Sequence, residues 1–574
     1  MRPRSVPLLV CFLVSAGVLA QTPVVTASGD TMRLRSSTVT AGTGGAFNVT
    51  LTVENDNANA SLPTSWRRWW HCQIGNLGGA GTTMTVTVDS TSGYTDVILP
   101  VWAFSTDGGA SFGAYQRCPL GAVPTVLSGG RHRFTLTTPP GVTAIRLAKY
   151  FPYPVARKDA WVASLAGHPR VRSIAVLGNS QQGRPIQRIE FTDGSVPDAG
   201  KVRIWIHTAV HPSETTAYFT VEGLVAWLLS GDPYAETLLD HALIDIVPMA
   251  NPDGVFLGNY RTNANSVEIE SEWAAPYNST QPEIVALRTA IEGYMGTVAA
   301  PASNPIRVLL NLHSSHNIDY PFHFQHTANP SWSPGATGVL PIVNQIEGQW
   351  IAGFKARSPF ANLGTTQSSS AGFPSRPFVE SMMHDRWTAV NGWLNAPGFQ
   401  QPVMAITFEG TYGLGPDQVT WNTEADYRQC GADMGRALCD YFGLAPTASI
   451  APFGNACAST LLSGSLAPAS GLNQTLTLAV AGAPANAFCL MVLGFQQLPG
   501  PLPLPSPWQA CSALITFDDS LSFLANAGGS GQLAVPVPPL PGLLAYLQCG
   551  VVDPAAPPPG SITTTNGLRV RNEY

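Results

Sequence analysis

Charge is what this chain has least of. Asp, Glu, Lys and Arg make up 11% of its 574 residues, with a formal net charge of -6, where an ordinary domain carries about a quarter. No basic run is present, so the electrostatic footprint of a nucleic-acid partner is missing. Past the first twenty residues, no stretch reaches the roughly 20 apolar residues a membrane helix needs, and no transmembrane segment is expected. Cys-x-x-Cys spacing is also absent, which argues against a zinc finger or a thiol redox motif. The 55 Gly and 49 Pro, together with abundant Ser and Thr, speak for many loops and strands rather than helical bundles.

What is present begins with a leader. Arg2 and Arg4 precede an apolar run over 6–19, and Val18-Leu19-Ala20 ends it with small residues. Residues 1–20 therefore read as a secretory signal peptide, placing the mature chain outside the cell or in a periplasm. Of nine cysteines, Cys11 falls within the leader, too early for a lipoprotein anchor. The even remainder fits disulfides in an oxidising compartment. Cys72 with Cys118 and Cys430 with Cys439 are the natural pairs, Cys457, Cys489, Cys511 and Cys549 allow three pairings, and free buried thiols are the alternative. Asn48, Asn59, Asn278 and Asn473 open Asn-x-Ser/Thr sequences that matter only in a eukaryotic secretory pathway.

Three regions follow. Residues 21–155 alternate Thr and Val with period two, as over 47–53 and 83–88, the pattern of an antiparallel β-sandwich. Residues 156–445 interleave apolar strands with helix-like segments such as 283–294, as a mixed α/β sheet requires. After the linker 444–447, residues 446–574 hold short strands (475–480, 488–493, 513–517) separated by Pro and Gly, and read as a second small β-sandwich without a catalytic motif.

The chemistry gathers in the middle region. The apolar run 202–206 leads to His211-Pro212-Ser213-Glu214, an imidazole and a carboxylate that a turn at Pro212 can bring to one metal ion. A run over 244–249 closes at Asn251-Pro252-Asp253-Gly254 and Gly258-Asn259-Tyr260-Arg261. A third, over 307–312, ends at His313, and a fourth, over 402–408, ends at Glu409. Each delivers a His, Glu or Arg at or beyond its carboxyl end, where active sites of open α/β sheets collect. Two His and a Glu supply three zinc ligands, with a base and an oxyanion-stabilising Arg beside them. His316, His323 and His326 also lie near His313, but His313 closes the strand. His207, His241 and His384 carry no motif and read as structural.

The order His-x-x-Glu, Asn-Pro-Asp-Gly, Gly-Asn-Tyr-Arg, Leu-His-Ser, Thr-Phe-Glu-Gly resembles the zinc carboxypeptidase family over roughly residues 165–445. The resemblance implies an α/β, mixed-sheet catalytic domain, here flanked by N-terminal and C-terminal β-sandwich domains. It implies one Zn2+ per chain on His211, Glu214 and His313, Arg261 polarising the scissile carbonyl, Glu409 as general base, and a peptide or protein substrate. The stretch ahead, with Trp66-Arg67-Arg68-Trp69-Trp70-His71-Cys72, Tyr150-Phe151-Pro152-Tyr153-Pro154 and Gly183-Arg184-Pro185-Ile186, is similar to the β-rich domain of the cytosolic-carboxypeptidase subfamily. Nothing in the sequence sets the oligomeric state.

One departure bears on specificity. Where the family reads Gly-x-Asp-x-Asn-Arg-Asn-Trp, this chain reads Ser266-Val267-Glu268-Ile269-Glu270-Ser271-Glu272-Trp273. Glu268 keeps a carboxylate where the family's Asp orients a zinc His. Glu270 and Ser271 replace the Asn-Arg pair that grips a substrate's terminal carboxylate, and a Glu there is expected to repel it by roughly 1 to 4 kcal/mol. The enzyme then takes a substrate without that carboxylate or with a cation in its place, or Arg386 or Arg376 supplies the grip, or the domain only binds peptide or glycan. The family's substrate-covering Tyr has no counterpart near Arg386-Trp387, nor does the small polar stretch 365–372 offer one. An active hydrolase is the favoured reading, because both His, both Glu and Arg261 stand together.

Overall fold

The computed structural model of the chain describes residues 21–91, 96–273, 278–315, 320–325, 341–368, 378–388, 402–444, 449–467, 474–537 and 544–571. The proposed leader, His316, His326 and Arg376 lie outside these residues. The chain divides into two compact units, Met1–Phe151 and Pro152–Tyr574.

The first unit holds two five-stranded sheets. In spatial order one comprises Val24–Thr26, His71–Gly75, Ala144–Ala148, Val101–Ser105 and Gln116–Arg117; the other comprises Ser36–Ala41, Phe47–Thr52, Thr83–Asp89, Arg131–Thr137 and Thr125–Leu127. The period-two pattern decides what is buried. Phe47, Val49, Leu51, Met84, Val86 and Val88 point inward, and the Thr and Asn residues between them meet solvent wholly or in part, as successive residues of a strand face opposite sides.

The second unit is built on an eight-stranded mixed sheet: β1 (Val171–Asn179), β2 (Pro185–Phe191), β3 (Val202–Thr208), β4 (Ala242–Val247), β5 (Ile306–Ser315), β6 (Phe322–Gln325), β7 (Thr365–Ser368) and β8 (Met404–Thr411), in the order β1-β2-β4-β3-β5-β8-β6-β7. Strands β4, β3, β5 and β8 run parallel to their neighbours in that stretch of the sheet. Parallel strands covered on both faces read as continuous apolar runs, and β3 does: Ile204 and Ile206 pack into one core and Trp205 into the other. Among the helices are α1 (Val155–Ser164), α2 (Thr216–Leu228), α3 (Pro233–His241), α4 (Pro252–Phe256), α5 (Pro282–Met295), α6 (Pro341–Arg357), α7 (Pro359–Asn362), α8 (Val379–Met383) and α9 (Glu424–Tyr441). Helices α2 and α9 cross through glycine. A Cβ on Gly223 would stand 1.9 Å from the Arg428 carbonyl oxygen, and one on Gly431 1.9 Å from that of Thr220.

The tail adds a five-stranded, a three-stranded and a two-stranded sheet. Arg569 ties it to the α/β sheet region: its Nη1 donates to Asp193 Oδ2 at 3.1 Å and to Glu236 Oε2 at 3.2 Å. Arg170 pairs with the same two carboxylates and Arg569 Nη2 also faces Asp240 Oδ2 at 3.7 Å, so two cations and three acids form a largely buried cluster.

Two of the expected disulfides are not formed. Cys72, Cys118, Cys430 and Cys439 are free and buried. Cys430 and Cys439 both lie on α9, where nine residues at 1.5 Å each separate them by about 13 Å, beyond the roughly 7 Å limit of a bridge. In the tail Cys457 bonds Cys511. Cys489 and Cys549 remain free on adjacent paired strands.

Candidate metal centre and active site

The site lies at the carboxyl ends of β3, β5 and β8. Strand β3 ends at Thr208, and the turn that follows presents His211 and Glu214 just before α2 begins at Thr216. Tyr218, one turn into α2, donates its hydroxyl to the Pro212 carbonyl at 2.7 Å. Gly254 permits this packing, since a Cβ there would sit 2.4 Å from Pro212 Cγ. His313 comes from β5, and Glu409 is its direct cross-strand partner on β8.

His211, Glu214 and His313 are buried at 4%, 5% and 3% exposure, and they converge. Glu214 Oε1 lies 2.9 Å from His211 Nδ1 and Oε2 2.7 Å from His313 Nδ1, with the two Nδ1 atoms 3.1 Å apart. Among the described residues, these three form a group able to hold a metal ion. The far ring nitrogens settle the chemistry. His211 Nε2 is 2.6 Å from Glu268 Oε1 and His313 Nε2 faces Glu270 Oε2 at 3.5 Å. A carboxylate accepts from the ring N–H it faces, so with a cation bound both Nδ1 atoms would turn their lone pairs to it beside the Glu214 carboxylate. Three electron-pair donors meeting in a buried space need a cation, and a His2Glu set with an open side is a zinc donor set. The residues fit the ion.

In the protein alone, protonated histidines stand in for the ion's positive charge. Burial works against the charge of Glu214, yet the two histidines outweigh it and hold the carboxyl well below its usual range. Burial opposes charge on His313 too, but Glu214 and Glu270 raise it well above an ordinary imidazole. Glu409 goes the other way: burial, followed by the Glu214 carboxylate, pushes it up to about 7 against the pull of His313, His211 and Arg261. A carboxyl poised near neutrality suits general base catalysis. Arg261, Nη2 3.8 Å from Glu268 Oε1, sits inside the loop closed by Asn259, whose Nδ2 donates to the Thr262 and Asn263 carbonyls at 3.0 and 3.3 Å. Burial opposes its charge, and Glu268, Tyr260, Glu214 and Glu409 together hold it charged.

The other motif residues have structural work. Asn251 caps α4, accepting from Gly254 N. Asp253, fully buried, accepts from Ser180 Oγ and Arg184 Nη1 at 2.7 Å each and fastens the β1–β2 hairpin beneath the loop. Glu270 is nearly as buried, and its Oε1 accepts from Asn311 Nδ2 at 2.9 Å. Ser271 Oγ donates to the Glu268 carbonyl at 2.9 Å. Arg386 pairs with Glu292 on α5 and lies over the Trp387 ring at 4.9 Å. His323 is fully buried on β6 with its ring 4.9 Å from Phe408, and His207 accepts from Trp205 Nε1 at 3.0 Å.

Two residues of the site have roles that the sequence did not assign, Ser314 appearing there only as the last residue of Leu-His-Ser. Asn311 stands two before His313 and shares its face of β5 by strand alternation; a lone amide in an apolar run was the available signal. Ser314 donates its backbone N–H to Glu214 Oε2 at 3.1 Å, and its hydroxyl meets Thr216 Oγ1 at 2.6 Å, locking β5 to the start of α2.

Comparison with known proteins agrees with this geometry. Residues 159–336 match the zinc carboxypeptidase family. Cytosolic carboxypeptidase 6 of Mus musculus is 33% identical over 117 residues, 20% of this chain and 22% of that protein. The Caenorhabditis elegans protein of the same name is 29% identical over 175 residues, 30% of this chain and 37% of its own. The aligned stretches thus span less than two fifths of these relatives. A metallo-carboxypeptidase from Burkholderia cenocepacia has the same fold, with a TM-score of 0.56 and 21% identity over 74% of this chain and 99% of its own. So does a metallo-carboxypeptidase from Pseudomonas aeruginosa in complex with (2-guanidinoethylmercapto)succinic acid, at 0.53 and 20% over 73% and 99%. Residues 159–336 of this chain thus match a zinc carboxypeptidase domain.

Proposed function

We propose that this protein is an exported zinc-dependent hydrolase that cleaves a peptide or amide bond, with its α/β domain flanked by two β-sandwich domains. The observation that carries the reading is the convergence of the His211, Glu214 and His313 donor atoms within hydrogen-bond distance of one another, with Glu409 on the adjacent strand directly beside His313. Bound there, zinc would supply a Lewis acid that polarises a carbonyl and acidifies water. Glu409 takes a proton from the attacking water and returns it to the departing amine. Arg261, held charged by the acids around it, stabilises negative charge growing on the carbonyl oxygen. Burial of the site keeps bulk water from screening these groups.

Glu270 and Ser271 stand where the family's carboxylate grip would be, so the substrate does not depend on a free C-terminal carboxylate. Matched peptides with free and amidated C-termini test this. Cleavage of the two within about tenfold of each other is expected, and a preference for the free acid far above that shows a relocated receptor. No cleavage of any peptide by zinc-loaded protein would sink the peptidase reading and point to another amide substrate, and absence of both zinc and cleavage would leave a binding domain.

A further inference from the structure

The segment that departs from the zinc carboxypeptidase pattern, residues 268–271, holds a second carboxylate facing the metal site. Residues 268–271 form a short turn in which Glu268 precedes a 3-10 helix over Ile269–Ser271. Ile269 is buried in the core with Trp205, Val247 and Trp273, which forces its two neighbours, Glu268 and Glu270, to face elsewhere. Both face zinc-site histidines. Glu268 reaches His211 Nε2, and Glu270 faces His313 Nε2.

Glu270 is 2% exposed. Its Oε1 is fixed by Asn311 Nδ2, which also donates to Thr407 Oγ1 at 3.0 Å, so the carboxylate is anchored to β5 and, through Thr407, to β8. Among the described residues its Oε2 has no other hydrogen-bond partner, and neither does His313 Nε2; the two atoms face each other at 3.5 Å. A buried carboxylate without a counter-charge and a buried ring N–H without an acceptor are each destabilising. The two deficits cancel if they are partners.

We propose that Glu270 is a positioning residue for His313. Its carboxylate accepts the Nε2 proton, fixes the tautomer that turns the Nδ1 lone pair toward Glu214, and so gives each zinc histidine its own glutamate. The chain's departure from the family pattern at this position is then a reinforcement of the metal site. Asn311 is the residue that makes the arrangement specific, since it orients Glu270 from the same strand that carries His313. This inference rests on the zinc reading of the site, and its test needs no substrate.

The experiment measures zinc affinity of the full chain by competition with a chelator, for wild type, Glu270→Gln, Glu270→Asp and Glu268→Gln. Glutamine keeps the size of Glu270 and its bond from Asn311 but cannot serve as a charged acceptor for His313. Loss of such an outer partner typically weakens metal binding 10–100-fold. Glu270→Gln and Glu268→Gln are each expected to lose about tenfold or more, and Glu270→Asp to recover part of the loss. Cobalt-substituted protein gives a second readout: exchangeable ring N–H resonances from two ligated histidines in the wild type, with that of His313 shifted in Glu270→Gln and that of His211 unmoved. Affinity of Glu270→Gln within twofold of wild type, or an unchanged His313 N–H resonance, would overturn the proposal. Zinc-loaded wild type that cleaves no peptide is the separate failure of the peptidase reading.

Discussion

Replacing Gly431 by Ala should destabilise this protein although Ala is the better helix former. Helix α9 passes so close to α2 that a Cβ on Gly431 would stand 1.9 Å from the Thr220 carbonyl oxygen and 2.6 Å from Leu224 N. Ordinary contact begins near 3.4 Å, so the helices must part by about 1.5 Å, and both partners are backbone atoms that cannot rotate away. Overpacking of this kind costs about 1–3 kcal/mol, with only the ~1 kcal/mol propensity gain of Ala over Gly to set against it. The parting would carry Glu214 with it, because α2 starts two residues later and is bonded to Ser314. Zinc affinity should therefore fall by about tenfold. Gly293 supplies the control: it is an exposed helical glycine in α5 with nothing within 4 Å of an added Cβ, and Gly293→Ala should stabilise by roughly 0.5–1 kcal/mol. Urea unfolding of the two variants should move midpoints in opposite directions at similar slope. A Gly431→Ala protein as stable as wild type, with unaltered zinc affinity, would refute the close-crossing argument.

Other expectations concern the rest of the chain. Removing Arg569 takes away one of the two arginines paired with Asp193 and Glu236, so Arg569→Met should lower stability by about 3 kcal/mol; a change under about 0.5 kcal/mol in urea unfolding would show the cluster to be dispensable. His71, bonded to Thr31 Oγ1 and Tyr115 OH at 2.8 Å each, has its pKa pushed down to about 3 by burial and then by Arg146. The unfolded chain takes up that proton near pH 6.5, so His71 contributes its full stabilisation above about 6.5 and loses it as pH falls toward 3, about 1.4 kcal/mol per pH unit. His71→Gln should flatten the fall in unfolding midpoint between pH 6.5 and 4.5, and an unchanged slope would exclude His71 as the source. Chelation should lower the melting temperature, because zinc at 100 times its Kd stabilises by about 2.7 kcal/mol, and equal melting with and without chelator would argue against a resident ion.

The site was legible because its chemistry is concentrated at strand ends. The runs leading to His211, His313 and Glu409 are apolar enough to read as buried strands, and a His, Glu or Arg closing such a run has little reason to be there except chemistry. Glu268 was legible through its family counterpart. Glu270 was not: sequence register places it at a carboxylate grip, and only the burial of Ile269 shows that the turn directs it to His313. The disulfide guesses failed where sequence proximity stood in for geometry, since Cys430 and Cys439 are close in number but stretched along one helix. The crossing at Gly223 and Gly431 also left no local signal, because each glycine is demanded by a helix two hundred residues away. Arg386 was read against the strand before Glu409, whereas its guanidinium is paired with Glu292 across α5.

The central claim is that His211, Glu214 and His313 hold a hydrolytic zinc ion served by Glu409. Metal content by mass spectrometry, measured with cleavage of a diverse peptide mixture for wild type and Glu409→Gln, tests it most directly. About one zinc per chain in both proteins, with products from the wild type alone, is the expected result; absence of zinc, or equal turnover by the variant, would contradict it.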